Sequence, residues 1–155
     1  MSNLTTSPDV DALLTSGTNA EMITKLGAAT AAQGVFAEAV VYPVTATAEN
    51  GAAAVGVNVV RFRSVSAFTL TEVRASCKIA PTGSALIIDV NNGGTSVLST
   101  KLSVDIGETT STTSAVPAVI SSATIADDAV ITIDIDQVGS TVAGTGVKVS
   151  LYGTV

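Results

Sequence analysis

Histidine and tryptophan are missing from this chain of 155 residues, and its aromatics amount to 3 Phe and 2 Tyr. Without imidazole there is no Ser–His or Cys–His nucleophile pair, no imidazole base and no ordinary zinc site. Scarce aromatics leave the core to Val, Ile, Leu and Ala. Small aliphatic side chains bury less area each, and buried apolar surface is worth about 25 cal/mol per Å². One copy of the chain would therefore carry a thin core. Burial between subunits is one way to recover the loss, which favours an oligomer. A single cysteine, Cys77, excludes an internal disulfide. It lies within an apolar, β-branched neighbourhood, a setting in which a free thiol acts as a small hydrophobe.

Positive charge is also sparse, with 7 Lys and Arg against 13 Asp and Glu. The net charge of −6 argues against nucleic acid as a partner, because phosphate binding needs a field of Lys and Arg. Arg61, Arg63, Arg74 and Lys78 fall close together and read as a solvated or interfacial strand face. No run approaches the ~18 to 20 apolar residues of a membrane span. The opening "MSNLTTSPDVDALL" lacks the basic region and apolar core of a signal peptide. The expectation is synthesis in a cytoplasm, with neither a nucleic acid nor a membrane as partner.

What is present falls into two parts, an N-terminal arm over residues 1–34 and an all-β domain over 35–155. In the arm, Ser7 can cap a short helix at 8–14, with Pro8 at its first position and Asp9 and Asp11 at its positive end. Thr18 followed three residues later by Glu21 is a capping box, and Gly27 supplies a left-handed stop. Met22, Ile23 and Leu26 share one face of this second helix. At about two turns it is too short to stand alone and needs a packing partner. "AATAAQG" then reads as a linker.

From Val35 onward the period moves towards two. Phe68, Leu70, Glu72 and Arg74 alternate with Thr69, Thr71, Val73 and Ala75. "PTGS" is a turn signal. "ALIIDV" and "TSVLSTKLSVDI" flank "NNGG", whose residues tolerate the left-handed backbone of a tight hairpin. "GETTSTTSAVPAV" is a Ser/Thr-rich loop leading to a short extended piece. A turn at 126–128 precedes a strand with Ile131, Ile133 and Ile135 on one face and Thr132, Asp134 and Asp136 on the other. A last strand runs over 146–152. Short strands separated by turns about every ten residues predict an antiparallel β-sandwich, jelly-roll-like in form, preceded by an arm with one or two short helices.

Chemistry is thinly supported. Asp134 and Asp136, with Asp127 and Asp128 nearby, form the sort of carboxylate grouping that acts on sugars, but such enzymes need a sheltered acid and aromatic platforms. A solvated face explains the same residues. The turns "NNGG", "VAGTG" and "ENGA" lack the Lys-Ser/Thr ending of a phosphate loop. Asp89 and Asn91 place oxygen donors at alternate positions, yet nothing resembles the remaining ligands of a calcium loop. No catalytic, cofactor or metal residue is assigned.

The stretch "TLTEVRASCKIAPTGSALIIDVNNGGTSVLSTKLSVDIGETT", with "DDAVITIDIDQVGSTVAGTGVKVSLYG" closing it, resembles a β-sandwich domain of structural proteins in tailed bacteriophages. The likeness spans about residues 68–153, well over half of the chain. The leading "LLTSGTNAEMITKLGAA" resembles short helical segments of phage fibres. The resemblance implies a virion protein, often trimeric, with no catalytic residues to carry over. A tail fibre is usually longer, with a shaft before its sandwich. A short arm and one sandwich fit a capsid cement or head-decoration protein better. The expected partners are the major capsid protein and sister copies in a homotrimer on the capsid surface. Leu13, Leu14, Met22, Ile23 and Leu26 are the expected contacts with capsid or subunit. The alternative is a fibre tip or receptor-binding module for host-surface glycan, for which Tyr42, Phe62, Phe68 and Tyr152 are the candidate platforms.

Overall fold

The computed structural model describes residues 51–154 and, as backbone, the strand Gly34–Val41. The expected arm helices and the residues Leu13, Leu14, Met22, Ile23 and Leu26 lie outside these residues. The described part is built from antiparallel strands, with one short 3-10 helix at Ser111–Thr113. The strands are β1 (Gly34–Val41), β2 (Gly56–Arg63), β3 (Phe68–Ser76), β4 (Leu86–Asn92), β5 (Thr95–Ser96), β6 (Leu98–Thr100), β7 (Leu102–Val104), β8 (Val119–Ile120), β9 (Thr124–Ile125), β10 (Val130–Gln137) and β11 (Val147–Thr154).

Two sheets carry most of them. One runs β1-β11-β3-β9; the other runs β2-β10-β4-β5, with β7 also paired to β4. A small third sheet joins β6 to β8. Every pairing is antiparallel, and partners such as β3 with β11 and β2 with β10 are far apart in sequence. Alternation directs one face of each large sheet inward. Ile88 and Val90 from β4, Ile131, Ile133 and Ile135 from β10, Val73 and Ala75 from β3, and Val149 and Leu151 from β11 share one hydrophobic cluster. The cluster is dominated by aliphatic side chains, with Phe68 the one buried aromatic among the described residues.

The alternation expected along β3 changes phase. Phe68 and Leu70 are buried, then Val73 and Ala75, while Glu72 and Arg74 point away. Against β11, Glu72 pairs with Tyr152 and Leu70 with Gly153, so Thr71 is an extra residue on β3. Such a bulge turns the following side chains to the other face. Opposite it, Gly153 admits the Phe68 ring: a Cβ there would lie 2.5 Å from Phe68 Cδ2 and 2.6 Å from the Thr69 carbonyl oxygen.

The run after "NNGG" is not one strand. Beyond the hairpin, the Ser96 hydroxyl bonds to both the N–H and the carbonyl of Leu98, and the Val97 carbonyl accepts from Ser121 and Ser122. The chain is thereby drawn off β4 to form β6 with β8 before returning as β7. The turn at 126–128 closes through Ala129 N–H to Ala126 O, and the last strand extends two residues beyond the expected Tyr152, to Thr154.

Candidate functional site

A dense polar grouping lies on the face of β4 and β10 opposite Ile133 and Val90. Register places Asp134 opposite Asp89, Thr132 opposite Asn91 and Ile133 opposite Val90. Like charges directly across a strand pair repel, and several donors offset this one. Asp89 is buried; its Oδ1 accepts from Ser96 Oγ at 2.6 Å and from the Val90 N–H at 2.9 Å. Its Oδ2 lies 3.1 Å from Lys101 Nζ, and the same ammonium lies 2.6 Å from Asp136 Oδ2. Asp134 accepts from the Asn58 N–H at 2.7 Å and from Asn91 Nδ2 at 3.1 Å. The Asn58 contact depends on a kink in β2, where Asn58 has φ 53°.

Hydrogen bonds from Lys101 to Asp136 and then to Asp89 raise its pKa above the ordinary lysine value, against a smaller opposing effect of desolvation. This arrangement can fix the segment after the β4–β5 hairpin onto the sheet. The Asp89 oxygens, which resembled part of a calcium loop, are thus engaged by the protein's own donors, and Asn91 is turned to donate its Nδ2 to Asp134. Among the described residues, no group of three or more His, Cys, Asp or Glu is placed to hold a metal ion. Of the carboxylates considered for sugar chemistry, Asp136 shares Lys101 with Asp89, and Asp134 is held by Asn58 and Asn91. Asp127 and Asp128 stand apart at the turn, where Asp128 pairs with Arg63 at 2.8 Å.

A second feature is a groove of about 430 Å³ along β3. Val73, Leu102, Ala118 and Ile120 are among its apolar lining, with Glu72, Arg74 and Ser111 among the polar groups. It lies where β3 has left β9, which pairs only with Phe68 and Thr69. Arg74 donates to both carboxylate oxygens of Glu72, at 2.7 and 2.8 Å, and covers the Tyr152 ring at 4.7 Å from its centroid.

Of the aromatic candidates, Tyr42 lies outside the described residues. Phe68 is buried, Phe62 packs against the core and Tyr152 is half-buried beneath Arg74. Arg61 and Arg63 are exposed on β2 in one sheet and Arg74 on β3 in the other, so they do not form the single strand face that their closeness in sequence suggested. Cys77 is buried with its thiol 3.8 Å from the Glu108 carbonyl, and burial pushes the thiol pKa up. Sequence reasoning did not find Lys101 as the link between Asp89 and Asp136. Those three residues lie on β4, between β6 and β7, and on β10, and no local pattern joins them. Comparison with protein-family models, with curated proteins and with solved structures gives no match.

Proposed function

We propose that the chain is a non-enzymatic structural protein of a tailed-phage virion, a capsid cement or head-decoration protein acting as a homotrimer on the major capsid protein. The supporting observation is the strand order. The rows β1-β11-β3-β9 and β2-β10-β4-β5, with β7 also on β4, support a jelly-roll reading, in which one long antiparallel ribbon folds over on itself and β7 takes the place beside β4. Jelly rolls recur in viral capsid and lectin domains. Strand order supports the architecture; the role rests on the phage-domain resemblance carried by residues 68–153, since a fold alone does not fix a function.

In this reading the β-domain is a scaffold and its work is contact. Leu13, Leu14, Met22, Ile23 and Leu26 in the arm bind capsid or a neighbouring subunit. Their apolar side chains at helical spacing would lose affinity if made acidic, because a charge buried without a partner is costly. The full-length Met22→Glu, Leu26→Glu double variant should remain folded and trimeric yet fail to co-sediment with capsid shells. Equal binding by this variant and the wild type sinks the arm assignment. The glycan-receptor reading ranks second, because Phe62 and Phe68 are committed to the core and Arg74 covers Tyr152.

A further inference from the structure

The two-residue loop between β4 and β5 contains a dipeptide with covalent chemistry of its own. In Asn92-Gly93 the Gly93 backbone nitrogen can attack the Asn92 side-chain carboxamide carbon. The new C–N bond closes a succinimide; the bond to the side-chain nitrogen breaks, and ammonia leaves carrying the proton that Gly93 gives up. Water then opens either C–N bond of the imide, giving Asp or isoaspartate at position 92. Glycine favours the step because no side chain shields its nitrogen.

The native hairpin opposes each part of it. Gly93 and Gly94 have φ of 59° and 86°, the left-handed pair of a type I′ turn. The Gly93 N–H, the nucleophile, donates to Val130 O at 2.8 Å. Asn92 is paired on both sides, with Thr95 on β5 and Ile131 on β10, and its Nδ2 points at Thr124 O, 3.5 Å away. Just beyond the tip, Ser96 and Lys101 tie the returning chain to Asp89. Attack requires the Gly93 nitrogen to leave Val130 and the Asn92 side chain to swing onto it.

We propose that Asn92 is a spontaneous deamidation site that the closed hairpin suppresses, and that it reacts through states in which the β4–β5 tip has lifted from β10. Isoaspartate adds a methylene to the backbone at a residue paired on both sides, so a tip that reacts while open cannot re-form the same ladder. The reaction would convert transient opening into permanent damage. For a component of a long-lived particle, the Gly93–Val130 bond and the Asp89 anchor then protect against chemical ageing. This inference rests on the hairpin geometry and holds whatever the protein binds.

The test incubates the full-length protein in warm, mildly alkaline buffer beside a synthetic peptide of residues 86–100. Peptide mapping follows the amide-to-acid mass gain at Asn92, and enzymatic methylation reports isoaspartate. The folded protein should react more than about tenfold slower than the peptide, because local opening limits the rate. The same protein in urea should match the peptide. Ser96→Ala and Lys101→Met, which loosen the returning chain, should speed the reaction in the folded state. A folded wild type that reacts as fast as the peptide overturns the proposal. So does a slow wild type whose rate is unchanged by both substitutions while their melting temperatures fall.

Discussion

Lys101 stands 3.1 Å from Asp89, a carboxylate whose side chain is only 6% exposed, although the lysine itself is 44% exposed. Removing the lysine would leave a buried negative charge facing Asp134 across the β4–β10 ladder. Breaking a fully buried pair typically costs 3–5 kcal/mol; with one partner half in water, about 1–3 kcal/mol is the expected loss for Lys101→Met. Urea denaturation should show a lower midpoint with an unchanged slope. The pKa of Lys101 is raised by Asp136 and Asp89, so its stabilisation is fully present below the ordinary lysine value. That contribution disappears as pH rises through the raised folded value. The wild-type midpoint should therefore fall at strongly alkaline pH, and Lys101→Met should lack this component of the fall.

Asp105 gives the opposite sign. Its carboxylate accepts from the Ala115 N–H at 2.8 Å and from the Ser103 and Ser114 hydroxyls at 2.7 and 3.2 Å. The Ala115 N–H first, and the two hydroxyls after it, hold its pKa below the usual carboxylate value. The stabilisation is present above the unfolded value, near 3.9, and is lost as pH falls through the lower folded one. Acid titration of stability should be shallower in Asp105→Asn than in the wild type, with the difference confined to pH below about 4.

Thr132 offers a stabilising substitution. It is 5% exposed and its Oγ1 has no hydrogen-bond partner among the described residues. An unsatisfied buried hydroxyl costs about 1–3 kcal/mol, and valine keeps the shape without the polar atom. Thr132→Val should raise the melting temperature or leave it unchanged. A clear drop would show that the hydroxyl is engaged.

The strands that alternate plainly could be read from sequence, and so could "NNGG", whose two glycines take the positive φ values of that turn. Ile131, Ile133 and Ile135 face inward as the pattern predicts. The pattern misled at Thr71, because a bulge flips the face of every later residue and needs no unusual residue to mark it. It misled again at Thr132, which sits on the polar face yet is buried. The break between β5 and β7 was hidden for a related reason: Ser121 and Ser122, which draw Val97 away, are more than twenty residues distant. The Lys101 bridge shows the same limit, since a pairing set by register is invisible until the register is known.

Gly153 tests the bulge directly. Alanine there must push its methyl into Phe68 and the Thr69 carbonyl, which are rigid neighbours. Overpacking of this kind costs about 1–3 kcal/mol. Gly153→Ala should lower the melting temperature, and Phe68→Leu should restore part of the loss by vacating the ring's edge.

The most direct test of the proposed virion role is co-sedimentation of the purified full-length protein with empty tailed-phage capsid shells, with the oligomer measured by analytical ultracentrifugation. The account predicts a trimer that pellets with shells to saturation, and a Met22→Glu, Leu26→Glu trimer that stays in the supernatant. Failure of the wild type to bind those shells, together with binding to intact host cells, would contradict it and place the chain at a fibre tip instead.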